Sequence, residues 1–168
     1  MAALHELVTE GKVRYVGSSN FTGWQVVDAD WTARTGGLTP MISAQNQYNL
    51  LNRSAETELI PAVEHVGAGM LPFFPLASGL LTGKYRRGQD APAGTRLVHR
   101  PDRLANADFD TIEALQDFAG ERDLTLLQVA VGWLAAQPAV ASVISGASQP
   151  EQVRANVAAA AWEPSAED

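Results

Sequence analysis

"VRYVGSSNFTGWQVVDADW", residues 13–31, holds the transition on which the fold turns. Val13 to Gly17 is a short β-branched and aromatic run suited to a strand. Ser18-Ser19-Asn20 follow as a polar turn. Thr22 and Gln25 then make a capping box, in which each side chain satisfies a backbone amide that the first helical turn leaves unpaired. The helix predicted from Thr22 carries Trp24, Val27 and Trp31 as an apolar stripe and stops at Gly36-Gly37. The segment reads as one βα unit.

The unit recurs along the chain. Met41 to Gln45 and Gly69 to Phe73 are strand-like runs that follow Val13 at intervals of 28 residues, and a fourth, Val140 to Ser145, comes after a long insertion. Leu59, Ile60, Val63 and Val66 give the second helical stripe, ended by Gly67, with Pro61 expected to kink it. Asp108 to Arg122 and Thr125 to Gln137 read as two more helices, the second with Leu126, Val129, Ala130, Trp133 and Leu134 spaced for burial. Alternating strands and helices predict an α/β fold with a parallel sheet, and such sheets place ligands at the carboxyl ends of their strands. Here those ends carry Ser18-Ser19-Asn20, Gln45-Asn46, Phe73-Phe74-Pro75 and Ser145-Gly146.

The last of these ends opens "VISGASQPEQVRAN", residues 143–156. Ser148 and Glu151 fit an S-x-x-E box, which predicts a helix starting near Gln149. Gly146 lets the backbone come close to a ligand, and the exposed amides and dipole of the helix start favour an anion. Ser148, Gln152 and Asn156 recur every fourth residue and share a face, beside which run Val153 and Val157. A capped surface helix with solvated amides fits the same residues; the convergence of polar strand ends along one rim is what favours a ligand site.

Composition excludes several classes of function. At 168 residues with 46% apolar and 18% charged content, the chain has the makings of one globular domain with a real core. It contains no cysteine, so disulfides and thiolate metal sites are excluded. The longest apolar stretch, residues 69–81, is too short to span a bilayer and contains Pro72 and Pro75, and the amino end shows no signal-peptide pattern; the expectation is a cytoplasmic protein with no membrane partner. A net charge of −7 argues against nucleic acid as a partner. The cations are nonetheless unevenly placed. Lys84, Arg86, Arg87, Arg96, Arg100 and Arg103 supply six of the twelve Lys and Arg within twenty residues, inside a long basic loop spanning 75–107. Such a run suits either a solvated, mobile loop or a clamp for a compact polyanion such as a dinucleotide phosphate. His5, His65 and His99 are not spaced with carboxylates as a metal site.

"GKVRYVGSSNF", "SAQNQYNLLNR", "FPLASGLLTGKY" and "SVISGASQPEQVRANV" together resemble consecutive motifs of the aldo-keto reductase superfamily, in the branch containing potassium-channel β subunits and bacterial relatives. The likeness covers nearly the whole chain. It implies the carboxyl-terminal half, strands five to eight, of a (β/α)₈ barrel, as a single half-barrel domain over 1–168 preceded by the tail of one helix at Met1 to Thr9. Whole barrels of this kind need about 250 residues. The resemblance further implies NADP(H) as cofactor. Ser19, Asn20 and Gln45 would hold the nicotinamide carboxamide, and Phe73 would stack on its ring. Leu76, Ala77, Ser78 and Gly79 would wrap the pyrophosphate with Lys84 contacting a phosphate, while Gly146, Ser148, Gln152 and Asn156 would take the adenosine and 2′-phosphate end. Phe74 stands where the family commonly has serine and Ala155 where it often has glutamate, and each lost hydrogen bond would weaken binding by about 1 kcal/mol.

The family's reaction is reduction of a carbonyl by hydride, with a tyrosine acid tuned by lysine and aspartate and a histidine that orients substrate. All four belong to the half not represented here, so no catalytic residue is assigned. Tyr15 lies mid-strand, Tyr48 is expected to pack beside the rim, and a Lys84–Tyr85 acid pair fails because sequence neighbours seldom converge on one point. The expected partners are therefore a dinucleotide and, only if the missing half is supplied, a carbonyl substrate. The alternative is an interaction protein: a half barrel would leave strand edges near Val13 to Gly17 and Val140 to Ser145, through which two copies could form a homodimer or the chain could dock on a complementary one. A compact parallel-sheet binding module unrelated to reductases is the third reading.

Overall fold

Three short parallel strands, each reached from the last through a helix, form one open sheet in the order β1-β2-β3. They occur in a computed structural model that describes residues 1–165 and 167–168. In chain order the elements are α1 (Ala2–Thr9), β1 (Gly17–Ser19), α2 (Gly23–Thr35), β2 (Ser43–Gln45), α3 (Leu59–Val66), β3 (Gly69–Met70), α4 (Pro101–Ala105), α5 (Phe109–Gly120), α6 (Leu126–Ala135) and α7 (Pro150–Ala159). Single 3₁₀ turns lie at Ser54–Glu56 and Arg96–His99, and two short turns joined across a kink at Ala77–Thr82. The chain divides into two compact units, Met1–Tyr48 with Asn52–Phe73 and Pro138–Ile144, and Asn49–Leu51 with Phe74–Gln137 and Ser145–Asp168. No helix among the described residues is long and apolar enough to cross a membrane.

In the first unit the register pairs Gly17 with Ser43, Ser18 with Ala44 and Ser19 with Gln45, and then Ser43 with Gly69 and Ala44 with Met70. The strands are shorter than expected and the first lies further along the chain. Val13 to Val16 precede β1 and Tyr15 is exposed; pairing begins only at the Val16 carbonyl, which accepts the Ile42 N–H at 2.9 Å. Gly17 explains the placement. A Cβ there would overlap Ser43 Oγ and stand 2.9 Å from Ser43 O, so the two backbones close up only where the side chain is missing. The fourth run, Val140 to Ser145, does not form a regular strand. Val140 makes a parallel bridge to Met70, and the Ile144 N–H reaches the Pro72 carbonyl at 3.0 Å. Pro72 has no N–H to return, which breaks the ladder after β3.

The helix expected from Thr22 forms with its capping box, the Thr22 N–H donating to Gln25 Oε1 at 2.9 Å, and ends at Gly36. Its buried face is not the expected one. Trp24, Val27 and Trp31 face outward, the two indoles 63% and 67% exposed, whereas Gly23, Val26, Ala29 and Ala33 are buried. The two stripes have the same helical spacing and lie on opposite sides of the helix. Close approach to α3 selects the small one: a Cβ on Gly23 would stand 2.7 Å from the Glu58 carbonyl oxygen. α3 buries Leu59, Ala62 and Val63 and closes on Gly67 in the left-handed conformation, as expected. Pro61 produces no break, because it occupies the third helical position, where the first-turn amides have no intrahelical acceptor.

The second unit is built on Leu81, Tyr85, Leu97, Leu104, Phe109, Ile112, Leu126 and Ala130, packed as one cluster. Several of these lie in the basic 75–107 stretch, so that stretch is no solvated strap: it contains the 3₁₀ segments Ala77–Thr82 and Arg96–His99 as well as α4, pinned by the buried Tyr85, Leu97 and Leu104. The Tyr85 hydroxyl accepts the Leu97 N–H at 3.2 Å. Asp108 caps α5 by accepting the Thr111 N–H, and Thr125 with Gln128 caps α6. α6 packs on α7, with Gly132 so close to Trp162 that a Cβ would stand 2.5 Å from the Trp162 carbonyl oxygen.

Candidate cofactor site

Two strand ends in the first unit bring polar groups together. Ser19 and Gln45 are register partners at the carboxyl ends of β1 and β2. The Asn20 N–H extends the ladder to the Gln45 carbonyl at 3.0 Å, and Asn20 Nδ2 donates to Ser19 Oγ at 3.3 Å. Asn20 itself is left-handed, with φ 58°, a conformation that asparagine tolerates better than most residues and that ends the strand by turning the chain. Phe73 joins the same edge: it bridges Gln47, and its N–H donates to the Asn46 carbonyl at 3.0 Å. Ser19, Asn20, Gln45 and Phe73 are thus neighbours through backbone pairing, an arrangement that offers amide donors and acceptors beside an aromatic ring.

Asn46 is a polar residue of this edge to which sequence reasoning gave no role. Its Nδ2 donates to the Phe21 carbonyl at 3.0 Å, while its Oδ1 is buried without a hydrogen-bond partner among the described residues. The sequence placed it only among the polar strand ends, since a single asparagine after a strand carries no periodic signal that would assign it a contact.

Three residues after Gln45, the side chain of Tyr48 is fully buried and donates to Glu56 Oε1 at 2.7 Å, and Arg53 forms a two-pronged pair with the same carboxylate. Burial, reinforced by Glu56, pushes the Tyr48 hydroxyl above the usual tyrosine range. The hydrogen bond from Arg53, opposed by partial burial, holds Glu56 below the ordinary carboxylate value. Tyr48 is therefore a poor proton donor, buried and held by Glu56. Among the described residues no group of three or more His, Asp or Glu side chains could hold a metal ion.

The second unit holds the other candidate residues in two places. After Leu76, the residues Ala77, Ser78 and Gly79 have φ of 46°, 61° and 95°. The Gly79 N–H turns back to the Leu76 carbonyl at 2.7 Å, and Thr82 Oγ1 donates to the Gly79 carbonyl at 2.7 Å. Consecutive turn residues of this kind make concave amide nests that suit anions. The exposed Lys84 adds a cation here, its ammonium 3.1 Å from where a Gly79 Cβ would lie and 5.4 Å from the Tyr85 ring centre. This geometry gives the Lys84–Tyr85 pair a packing role, since the Tyr85 hydroxyl is buried against Leu97.

The second place is the start of α7. Here the expected Ser148–Glu151 box does not form. Gln149 is the N-cap and Pro150 the first helical residue, a position that suits proline because its missing N–H would be unpaired anyway. That shift moves the reciprocal bond by one residue: the Ser148 N–H donates to Gln152 Oε1 at 2.8 Å, and Glu151 is left exposed beside Arg154 at 3.6 Å. The expected shared face does form. Ser148 and Gln152 are hydrogen-bonded, and Asn156 Nδ2 donates to Ser145 Oγ at 2.9 Å. A Cβ built on Gly146 would meet nothing within 4 Å, so its backbone is open to approach. A hollow of about 490 Å³ lies against Ser148, Gln149, Pro150, Val153 and Arg154. Arg154 is a second residue to which sequence reasoning gave no role; its signal was a cation one helical turn after Pro150.

The aldo/keto reductase sequence model matches residues 1–168. The chain belongs to the aldo/keto reductase family. Its similar relatives within that family include an L-glyceraldehyde 3-phosphate reductase of Escherichia coli strain K12, 34% identical over 168 residues, with 94% of this chain and 47% of the relative covered. A probable voltage-gated potassium channel subunit beta of Oryza sativa is 35% identical over 164 residues, covering 94% and 50%. An NADH-specific methylglyoxal reductase of the same Escherichia coli strain is 34% identical over 163 residues, covering 95% and 47%. The chain spans about half the length of the curated relatives it matches.

Proposed function

We propose that this chain is the cofactor-binding, carboxyl-terminal half of a (β/α)₈ aldo/keto reductase barrel, that it binds NADP(H), and that it reduces no carbonyl by itself. The observation that carries the reading is the hydrogen-bonded edge of Ser19, Asn20 and Gln45 with Phe73 beside it. A nicotinamide carboxamide needs one acceptor and one donor held rigidly and an aromatic face against the ring, and these residues fit that need. Within the second unit, taken by itself, the left-handed turn of Ala77, Ser78 and Gly79 with Lys84 suits a pyrophosphate, and the open Gly146 with Ser148, Gln152, Asn156 and Arg154 suits an adenosine group.

When bound, the dinucleotide supplies the hydride for carbonyl reduction. Asn20 and Gln45 would hold its carboxamide, and the Phe73 ring would stack against the nicotinamide. A proton must also reach the developing alkoxide, and the tyrosines of this chain are ill placed to give it, since Tyr48 and Tyr85 are buried in hydrogen bonds and Tyr15 stands on the surface. Activity therefore requires a preceding segment with its own acid. Names of similar proteins include reductases of L-glyceraldehyde 3-phosphate and methylglyoxal, which supports a small aldehyde or ketone as substrate of the assembled barrel. Because one relative is NADH-specific, the choice of NADPH rests on Arg154 and the α7 start.

Titration of the purified chain with NADPH, followed by nicotinamide emission, tests the reading, with saturable binding expected and no NADPH oxidation on adding aldehyde or quinone. No response to NADPH would remove it, and steady turnover by the chain alone would overturn the claim of dependence on a second half. A second reading is favoured by β1, an edge strand of the three-stranded sheet. Unpaired edges recruit other strands, so two copies could associate there, or a complementary chain could dock. Light scattering distinguishes the cases: a monodisperse monomer excludes the homodimer.

A further inference from the structure

We propose that Asn46 is a positioning residue for the nicotinamide end, fixing the left-handed turn that presents Asn20; the inference rests on the cofactor reading above. Three bonds converge on this residue and its neighbour. Asn46 Nδ2 holds the Phe21 carbonyl at 3.0 Å, the Asn46 carbonyl takes the Phe73 N–H at 3.0 Å, and the adjacent Gln45 carbonyl takes the Asn20 N–H at 3.0 Å. One stretch of two residues therefore ties the turn after β1 to the aromatic position after β3. The Asn20 backbone, at φ 58°, sits in a sparsely populated region that persists only where its surroundings over-determine it. The side-chain bond to Phe21, the next residue, supplies that constraint from one side and the Asn20 N–H from the other.

The cost of the arrangement argues for its purpose. Asn46 Oδ1 is buried with no hydrogen-bond partner among the described residues, and a buried polar atom left unpaired is unfavourable. An apolar side chain of similar size would avoid that penalty, so the amide is retained for what its nitrogen does. Asn46→Val removes the unpaired Oδ1 together with the donor to the Phe21 carbonyl, two effects of opposite sign, so the unfolding temperature should change little while the turn is freed.

The test compares wild type, Asn46→Val and Asn46→Asp in the full chain by titration with NADPH and with 2′,5′-ADP, which lacks the nicotinamide, and by hydrogen exchange at the Asn20 amide. With the bond removed, NADPH binding should weaken about tenfold, the loss of one hydrogen bond of about 1.4 kcal/mol. Exchange at Asn20 should quicken, and 2′,5′-ADP affinity should stay as in wild type. Asn46→Asp sets a carboxylate against the Phe21 carbonyl in the same volume and should weaken NADPH at least as much, which keeps the comparison available if the valine variant folds poorly. NADPH affinity and Asn20 exchange both at wild-type values would overturn the proposal, as would equal losses for NADPH and 2′,5′-ADP, the mark of general damage. Wild-type chain that ignores NADPH altogether would remove the cofactor reading and this inference with it.

Discussion

Gly17 shows how tightly a single position can be specified. With a Cβ overlapping Ser43 Oγ and 2.9 Å from the Ser43 carbonyl oxygen, neither rotamer change nor local give accommodates alanine without parting β1 from β2. Gly17→Ala should destabilise the chain by about 2 kcal/mol, the usual cost of forced overpacking, read as a lower urea midpoint. An unchanged midpoint would mean that the pairing tolerates a slip. Glu56 makes a second prediction at this scale, with a sign set by its environment. Arg53 and Tyr48 lower its folded value below the ordinary one of 4.5, so its contribution is fully present above that value and is lost as pH falls through the lower folded one. Glu56→Ala should cost about 1–2 kcal/mol at neutral pH, chiefly by leaving the buried Tyr48 hydroxyl without its acceptor. The gap to wild type should shrink in acid, and denaturation at pH 7 and pH 3 would show it.

At the scale of elements, α2 separates what periodicity can say from what it cannot. The residues at 24, 27 and 31 and those at 26, 29 and 33 obey the same spacing, so both stripes were present in the sequence, and only the closeness of α3 decides between them. Substituting the larger stripe should therefore matter less. Trp31→Ser is expected to change unfolding free energy by about 0.5 kcal/mol or less, whereas Ala33→Leu, on the buried face, should cost about 1–3 kcal/mol; the reverse ranking in urea titrations would contradict the assigned face. Signals carried by one or two residues with a fixed chemical job were legible, namely the cap at Thr22 and the stop at Gly67, whereas Asp108 and Thr125, read only as the starts of helices, prove to cap them. The Ser148 cap was misplaced because Pro150 competes for the first helical position and wins. Strand limits were misjudged because Val13 to Val16 has strand composition, while pairing depends on where a partner backbone can come close. Polar positions at the strand ends were legible, Asn46 among them, yet its bond to the Phe21 carbonyl was not, since that partner lies 25 residues away in the sequence.

For the whole molecule, the proposed cofactor reading gives each unit its own test. Arg154→Ala, in the second unit, should weaken NADPH several-fold and leave NADH nearly unchanged, because a guanidinium discriminates by the extra phosphate. Competition titrations of both nucleotides check this, and equal losses would detach Arg154 from cofactor choice. The outward indoles of α2 also govern how such titrations should be observed. Two of the four tryptophans, Trp24 and Trp31, are bathed in solvent, while Trp133 and Trp162 are half-buried. Intrinsic emission from the folded chain should therefore lie well to the red and be readily quenched by iodide, so that unfolding shifts its colour only slightly.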